Sequence, residues 1–144
     1  MDIDIKSLTN AIPAPSYAHG GDAGLDLRAA VGGSLQPFER MAVPCGFAMA
    51  IPEGYAGLVV PRSGLAAKHG ISVVNGPGLV DSGYRGEIKV VLVNLDPQEP
   101  FHFAPGDRIA QMMIVAVPSV TLHNTDQLPE SERGESGFGS SGLH

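Results

Sequence analysis

The sequence has one cysteine, Cys45. A single thiol excludes an internal disulfide and a cysteine-based zinc site. It leaves Cys45 to act as a small buried hydrophobe rather than a nucleophile. Basic residues are scarce, with 9 Lys and Arg against 15 Asp and Glu and a net charge of −6. A chain of that sign gains no counterion-release affinity for DNA or RNA, so no nucleic acid is expected as partner. A small anion could still bind where a few arginines converge. No apolar run approaches the roughly 20 residues that span a bilayer, and "MDIDIKSL" lacks the shape of a signal peptide. No membrane association is expected, and a soluble, cytoplasmic protein fits. The five histidines show no metal-ligand spacing. "GGDAGLDL" is not followed by a helix and so is no dinucleotide fingerprint, and there is neither a GxxxxGK[ST] phosphate loop nor a GxSxG elbow.

What is present points to strands. The composition, 43% hydrophobic and 17% charged, is that of an ordinary globular domain. Nineteen glycines and twelve prolines are spread through the chain, which suits short strands joined by turns. "DIDIK" and "AGLDLRA" alternate polar and apolar residues, the latter with Leu25 and Leu27 on one face and Asp26 and Arg28 on the other. "RMAVPCGFAMAIPEGYAGLVVPR" reads as two or three strands broken by Pro44, Pro52 and Gly54. "ISVVN", "EIKVVLVNL" and "DRIAQMMIVAV" read as further strands. Only "SGLAAKHG" looks helical, with Ser63 as its cap and Gly70 as its stop. Strands about every ten residues predict an all-β sandwich, jelly roll or small barrel. "KVVLVNL" and "QMMIVAV" are apolar at consecutive positions, which predicts burial on both faces and self-association. From about His123 the periodicity is lost, dividing the chain into a β domain, 1–122, and a C-terminal arm and Gly/Ser-rich tail, 123–144.

Four polar clusters interrupt this pattern. In "PRSGLA", Arg62, Ser63 and Gly64 open the helix, as an anion site or as an ordinary capped helix with a solvated arginine. "NGPGLVDSGYRGEIK", Asn75 to Lys89, reads as a hairpin with free backbone groups at its mouth. Its Asp81 could take a proton from water or cap a turn. In "GDRIAQMMI", Gln111 is an amide inside an apolar strand that needs partners, from a neighbouring backbone or a ligand. Asp107 and Arg108 read as a surface ion pair. The tail "RGESGFGSSGLH" carries Arg133 and Phe138, a cation that could hold a phosphate and a ring that could stack on a base, in a setting otherwise fit for plain disorder.

Taken in order, "AGLDLRA", "PRSGLA", "NGPGLVDSGYRGEI", "GDRIAQMMI" and "RGESGFGSSG" resemble the five motifs of the trimeric deoxyuridine triphosphatases, over residues 23 to 142. "GYRGEIKV" and "NLDP" look most like bacterial members. The resemblance implies a jelly-roll-like β-barrel or sandwich subunit with one short helix, assembled as a homotrimer with exchange of the C-terminal arm. It implies hydrolysis of dUTP to dUMP and pyrophosphate with Mg²⁺ on the triphosphate, which would keep uracil out of DNA and supply dUMP for dTMP synthesis. By position, Asp81 matches the aspartate that orients and deprotonates the attacking water and touches the sugar. Asn75 and the backbone of Leu79, Val80 and Asp81 match the segment that reads uracil. Tyr84 matches the ring under the deoxyribose. Arg62, Ser63, Gly64 and Gln111 match phosphate contacts, and Lys89 aligns with a substrate-contact lysine. Asp26 matches the acidic residue near the metal's water shell. Phe138 would stack on uracil, Arg133 would pair with the γ-phosphate, and Gly139, Ser140 and Ser141 would wrap the phosphates. Two rivals share the fold: a dCTP deaminase, alone or bifunctional, and a non-catalytic nucleotide-sensing trimer.

Overall fold

The computed structural model describes residues 1–135 and 137. The tail residues Phe138, Gly139, Ser140 and Ser141 lie outside them. Among the described residues the order is β1 (Asp4–Ser7), β2 (Leu25–Arg28), β3 (Gly33–Leu35), β4 (Arg40–Pro44), β5 (Phe47–Ala50), β6 (Tyr55–Val60), α1 (Ser63–His69), β7 (Ile71–Val73), β8 (Gly78–Val80), β9 (Lys89–Asn94), β10 (Phe101–Phe103) and β11 (Arg108–Ala116). Every strand pairing is antiparallel. β2 pairs with β11, β3 with β10 and β4 with β9. Such nesting is that of one long hairpin rolled up, the jelly-roll connectivity. The larger sheets run β2-β11-β6-β8 and β4-β9-β7.

The stretch from Arg40 to Val60 resolves into three strands, parted at Cys45–Gly46 and at 51–54. Between the sheets lie side chains with essentially no exposure, among them Leu27, Leu35, Val43, Ile88, Val90, Leu92, Ile109 and Met112. Burying each contributes about 1.5–3 kcal/mol. The expectation of two buried faces on β9 holds for one face. Val90, Leu92 and Asn94 are buried, while Val91 and Val93 are half-buried. On β11, Met113, Ile114 and Val115 are half-buried as well. Asn94 is fully buried because its polar atoms are all engaged: Nδ2 donates to the carbonyls of Leu35 and Glu99, and Oδ1 accepts from the Asp96 amide.

Two local expectations need correction. The helix cap is Arg62, with extended backbone, and no side chain bonds the first turn; Ser63 is the first helical residue. Gly70 does end the helix. Its φ of 64° is left-handed, its N–H reaches the Leu65 and Ala66 carbonyls, and a Cβ there would lie 2.9 Å from the Asp96 amide. Nor is Asn75–Lys89 a paired hairpin: β8 pairs with β6, and β9 with β4 and β7. The apolar β9 takes an interior position between two neighbours, while β8 fills the free edge of β6. The segment between them is a bend that crosses from one sheet to the other.

Cys45 is buried, as a small hydrophobe would be. Burial pushes its thiol up to about 12, and the nearby Glu87 charge adds to the rise. An unfolded thiol ionises near 9.0, so above that pH the unfolded state holds fewer protons than the folded one. Stability is therefore expected to fall from about pH 9 toward 12, by up to ~1.4 kcal/mol per pH unit. Thermal midpoints across that range, compared with those of Cys45→Ala, measure this component; identical slopes for the two proteins would contradict it.

Candidate functional site

Two separate cavities collect the polar clusters. The first, about 410 Å³, is lined by Asp26, Arg62, Ser63, Gly64, Arg108 and Gln111, with His19, Asp22 and Gly24 at the loop before β2. Its centre is Asp26, a carboxylate 9% exposed where strand alternation predicts a solvated face. Its amide donates to the Ser16 carbonyl at 2.9 Å, which holds the preceding loop against β2. Its Oδ1 lies 3.6 Å from Arg62 Nε, and its Oδ2 3.2 Å from Arg108 Nη1. A buried carboxylate needs such counter-charges. Arg62 Nη1 also donates to the Arg108 carbonyl at 3.0 Å, so the two arginines are braced against each other.

The expected Asp107–Arg108 ion pair is thus replaced. Asp107 Oδ2 instead accepts from the Ala104 amide at 2.8 Å and closes the turn before β11. A register shift between Arg108 and Ala110 re-aims the start of that strand. Gln111 sits between its sheet partners Asp26 and Val60. Its Nε2 donates to the Pro61 carbonyl at 3.1 Å, the backbone partner that a half-buried amide takes up here. Two guanidinium groups, a hydroxyl and the amides opening α1 make this cavity chemically suited to a multiply charged anion.

The second cavity, about 200 Å³, is lined by Leu79, Val80, Asp81, Tyr84, Glu87, Ile88 and Lys89. Asp81 is exposed, directly after β8, and its carbonyl accepts from the Tyr84 amide at 3.1 Å. Tyr84 Oη donates to the Glu87 carbonyl at 3.1 Å. Arg85 folds back and donates to the Ser82 and Tyr84 carbonyls, which braces the bend. Asn75 lies outside this lining but close to Gly78, whose missing Cβ would sit 3.1 Å from Asn75 Nδ2. Arg133 is exposed in the turn at residues 132–135, outside both linings.

One chain does not bring the two cavities together. Asp26 and Val80 stand on opposite edges of the sheet β2-β11-β6-β8. Three strand steps are roughly 14 Å. Asp26 is level with Val60, through Gln111, and Val80 with Gly57, which adds roughly 10 Å along the strands.

Among the described residues no group of three or more His, Cys, Asp or Glu could hold a metal ion, and no helix is long and apolar enough to cross a membrane. His19, Asp22 and Glu87 line these cavities without having stood out in the sequence, and Arg108, read there only as a surface ion-pair partner, lines the first. The one available signal for Arg108 was its position three residues before Gln111.

Nested β-strands, an arginine-flanked cavity suited to a multiply charged anion and a braced bend beside a carboxylate define a jelly-roll-like protein with a candidate anion site. A family model described as dUTPase matches residues 10–142. The chain is 54% identical over 143 residues to the deoxyuridine 5'-triphosphate nucleotidohydrolase of Bifidobacterium longum (strain DJO10A), covering 99% of this chain and 90% of that protein. It superposes with a TM-score of 0.91 on the dUTPase of Staphylococcus bacteriophage 80alpha solved with dUpNHpp, at 29% identity and 99% of each chain. A mutant dUTPase from phage phi11 of S. aureus, in which a structural Mg(II) ion is coordinated, matches with a TM-score of 0.81 at 24% identity, over 88% of this chain and 98% of that one. The chain belongs to the dUTPase family and is an enzyme of the dUTP diphosphatase type.

Proposed function

We propose that this chain hydrolyses dUTP to dUMP and pyrophosphate in a site assembled from copies of itself. The observation that carries this is the separation of the two cavities. A base must lie within hydrogen-bond reach of the water it activates, and that water about 3 Å from the atom attacked. Phosphates seated on Arg62 would lie across the sheet from Asp81 of the same chain. A second copy that brings its bend to the arginine cavity closes the gap. The half-buried rows on β9 and β11 are surface for such assembly, and a homotrimer supplies it.

In this site the backbone of Leu79 to Asp81, with Asn75, reads the uracil edge. Cytosine exchanges a donor and an acceptor there and would leave groups unpaired. Tyr84 lies under the deoxyribose, where a ribose 2′-hydroxyl would clash, and Lys89 contacts the substrate from the same cavity. Arg62, Ser63, Gly64 and Gln111 take the phosphates of the neighbouring copy's nucleotide. Asp81 accepts a proton from water as the water's oxygen bonds to the α-phosphorus, and the bond to the bridging oxygen of pyrophosphate breaks. Residues 1–122 carry the nucleotide site. Residues 123–144 act as the arm and closing tail, with Arg133 on the γ-phosphate, Phe138 over the base and Gly139, Ser140 and Ser141 around the phosphates.

Mg²⁺ fits these residues in one manner. Both Asp26 oxygens already face guanidinium groups, and no carboxylate cluster surrounds it among the described residues. The donor set suits a cation held mainly by phosphate oxygens, with Asp26 reaching it through water. Such a cation would neutralise charge on the triphosphate. Asp26, pinned by two arginines, would hold that water in place.

Pyrophosphate release measured side by side with dUTP, dCTP, dTTP and UTP tests the proposal. dUTP is expected to exceed each of the others by roughly 10²-fold or more in kcat/KM. Ammonia from dCTP would instead establish a deaminase, and dUTP binding without pyrophosphate would establish a sensing trimer.

A further inference from the structure

We infer that Glu87 is a positioning residue whose carboxylate fixes the Tyr84 ring and thereby sets how strongly the site rejects a ribonucleotide. This role rests on Tyr84 being the platform for the sugar.

Tyr84 is 47% exposed, so packing alone does not hold it. Two neighbours do. Its hydroxyl donates to the Glu87 carbonyl, and its ring lies against Gly86, where a Cβ would come within 2.6 Å of Tyr84 Cζ. The ring therefore follows the backbone of residues 86 and 87. That backbone is tied to the turn between β4 and β5. The Cys45 amide donates to the Ile88 carbonyl and the Ile88 amide to the Phe47 carbonyl, each at 2.9 Å. The remaining tie comes from a side chain: the buried Gly46 amide donates to Glu87 Oε1 at 2.9 Å. Without that acceptor a buried donor is left unpaired, and residue 87 loses its own hold on the turn.

Three variants test the role: Glu87→Ala, Glu87→Gln and Tyr84→Phe. For each, kcat/KM for dUTP and for UTP is measured alongside the thermal midpoint. Glu87→Ala is expected to lower the dUTP:UTP ratio by roughly tenfold, the scale of a misplaced pocket contact. Glu87→Gln keeps an oxygen that can accept from Gly46 and should retain most of the ratio. Tyr84→Phe loses the bond to the Glu87 carbonyl and should shift the ratio the same way as Glu87→Ala. An unchanged ratio in Glu87→Ala overturns the role, as does equal damage in Glu87→Gln. If Glu87→Ala does not fold, an unchanged ratio in Tyr84→Phe overturns it. A wild-type enzyme that hydrolyses dUTP and UTP equally well would instead sink Tyr84 as sugar platform and leave the bracing geometry intact.

Discussion

Asp81→Asn is expected to cut dUTP turnover by roughly 10²-fold or more, the contribution of a positioned general base, while nucleotide binding persists. The substitution is nearly isosteric. It preserves the carbonyl that accepts from Tyr84 and so leaves the bend braced. It removes only the capacity to take a proton, because an amide does not. Asp81 is exposed at the end of β8 and anchors nothing in the core, so loss of rate through unfolding is not expected. Single-turnover pyrophosphate release gives the chemical step, and calorimetric titration with a non-hydrolysable dUTP analogue gives binding. Near-normal turnover, or loss of binding in step with turnover, would remove Asp81 from the role of base.

Deleting the chain from Arg133 onward is expected to leave a folded assembly whose activity falls by on the order of 10²-fold or more, as when reacting groups lose alignment. None of the described strands runs past Ala116, and the core residues among the described ones all precede it, so the fold is expected to form without the tail. The deletion removes the cation proposed for the γ-phosphate, the ring proposed over the base and the segment proposed to exclude water. Circular dichroism and sedimentation should match those of the intact protein, and KM should rise as kcat falls. A truncated protein that hydrolyses dUTP normally would show that the tail takes no part.

The strands were readable because they are apolar, β-branched runs bounded by Gly, Pro, Asn and Asp. "YAGLVV", "KVVLVN" and "RIAQMMIVA" are β6, β9 and β11 with little room for another reading. Gly70 as a helix stop was equally legible, since a left-handed residue is required there. Pairing was harder. The segment from Asn75 to Lys89 looks like a hairpin because turns flank short apolar runs, but partner choice is decided by burial. β9 needed neighbours on both edges, and β8 found the edge of β6. Arg108 was misassigned for a related reason. Its sequence neighbour Asp107 was a plausible partner, whereas its actual partner, Asp26, is 82 positions away and becomes adjacent only when β2 meets β11. Sequence likewise marked Asp26, Arg62 and Asp81 as chemically pointed residues. It could not say that Asp26 and Arg62 share one cavity while Asp81 lines another.

Shared construction of the site is tested most directly by mixing two inactive proteins. Asp81→Asn carries an intact arginine cavity, and Arg62→Ala carries an intact bend. Co-expressed with different affinity tags and isolated as mixed oligomers, they are expected to recover dUTP hydrolysis, because some sites then pair a wild-type bend with a wild-type arginine cavity. Mixed oligomers as inactive as either parent would mean that both halves act within one chain, and the site proposed between copies would be wrong.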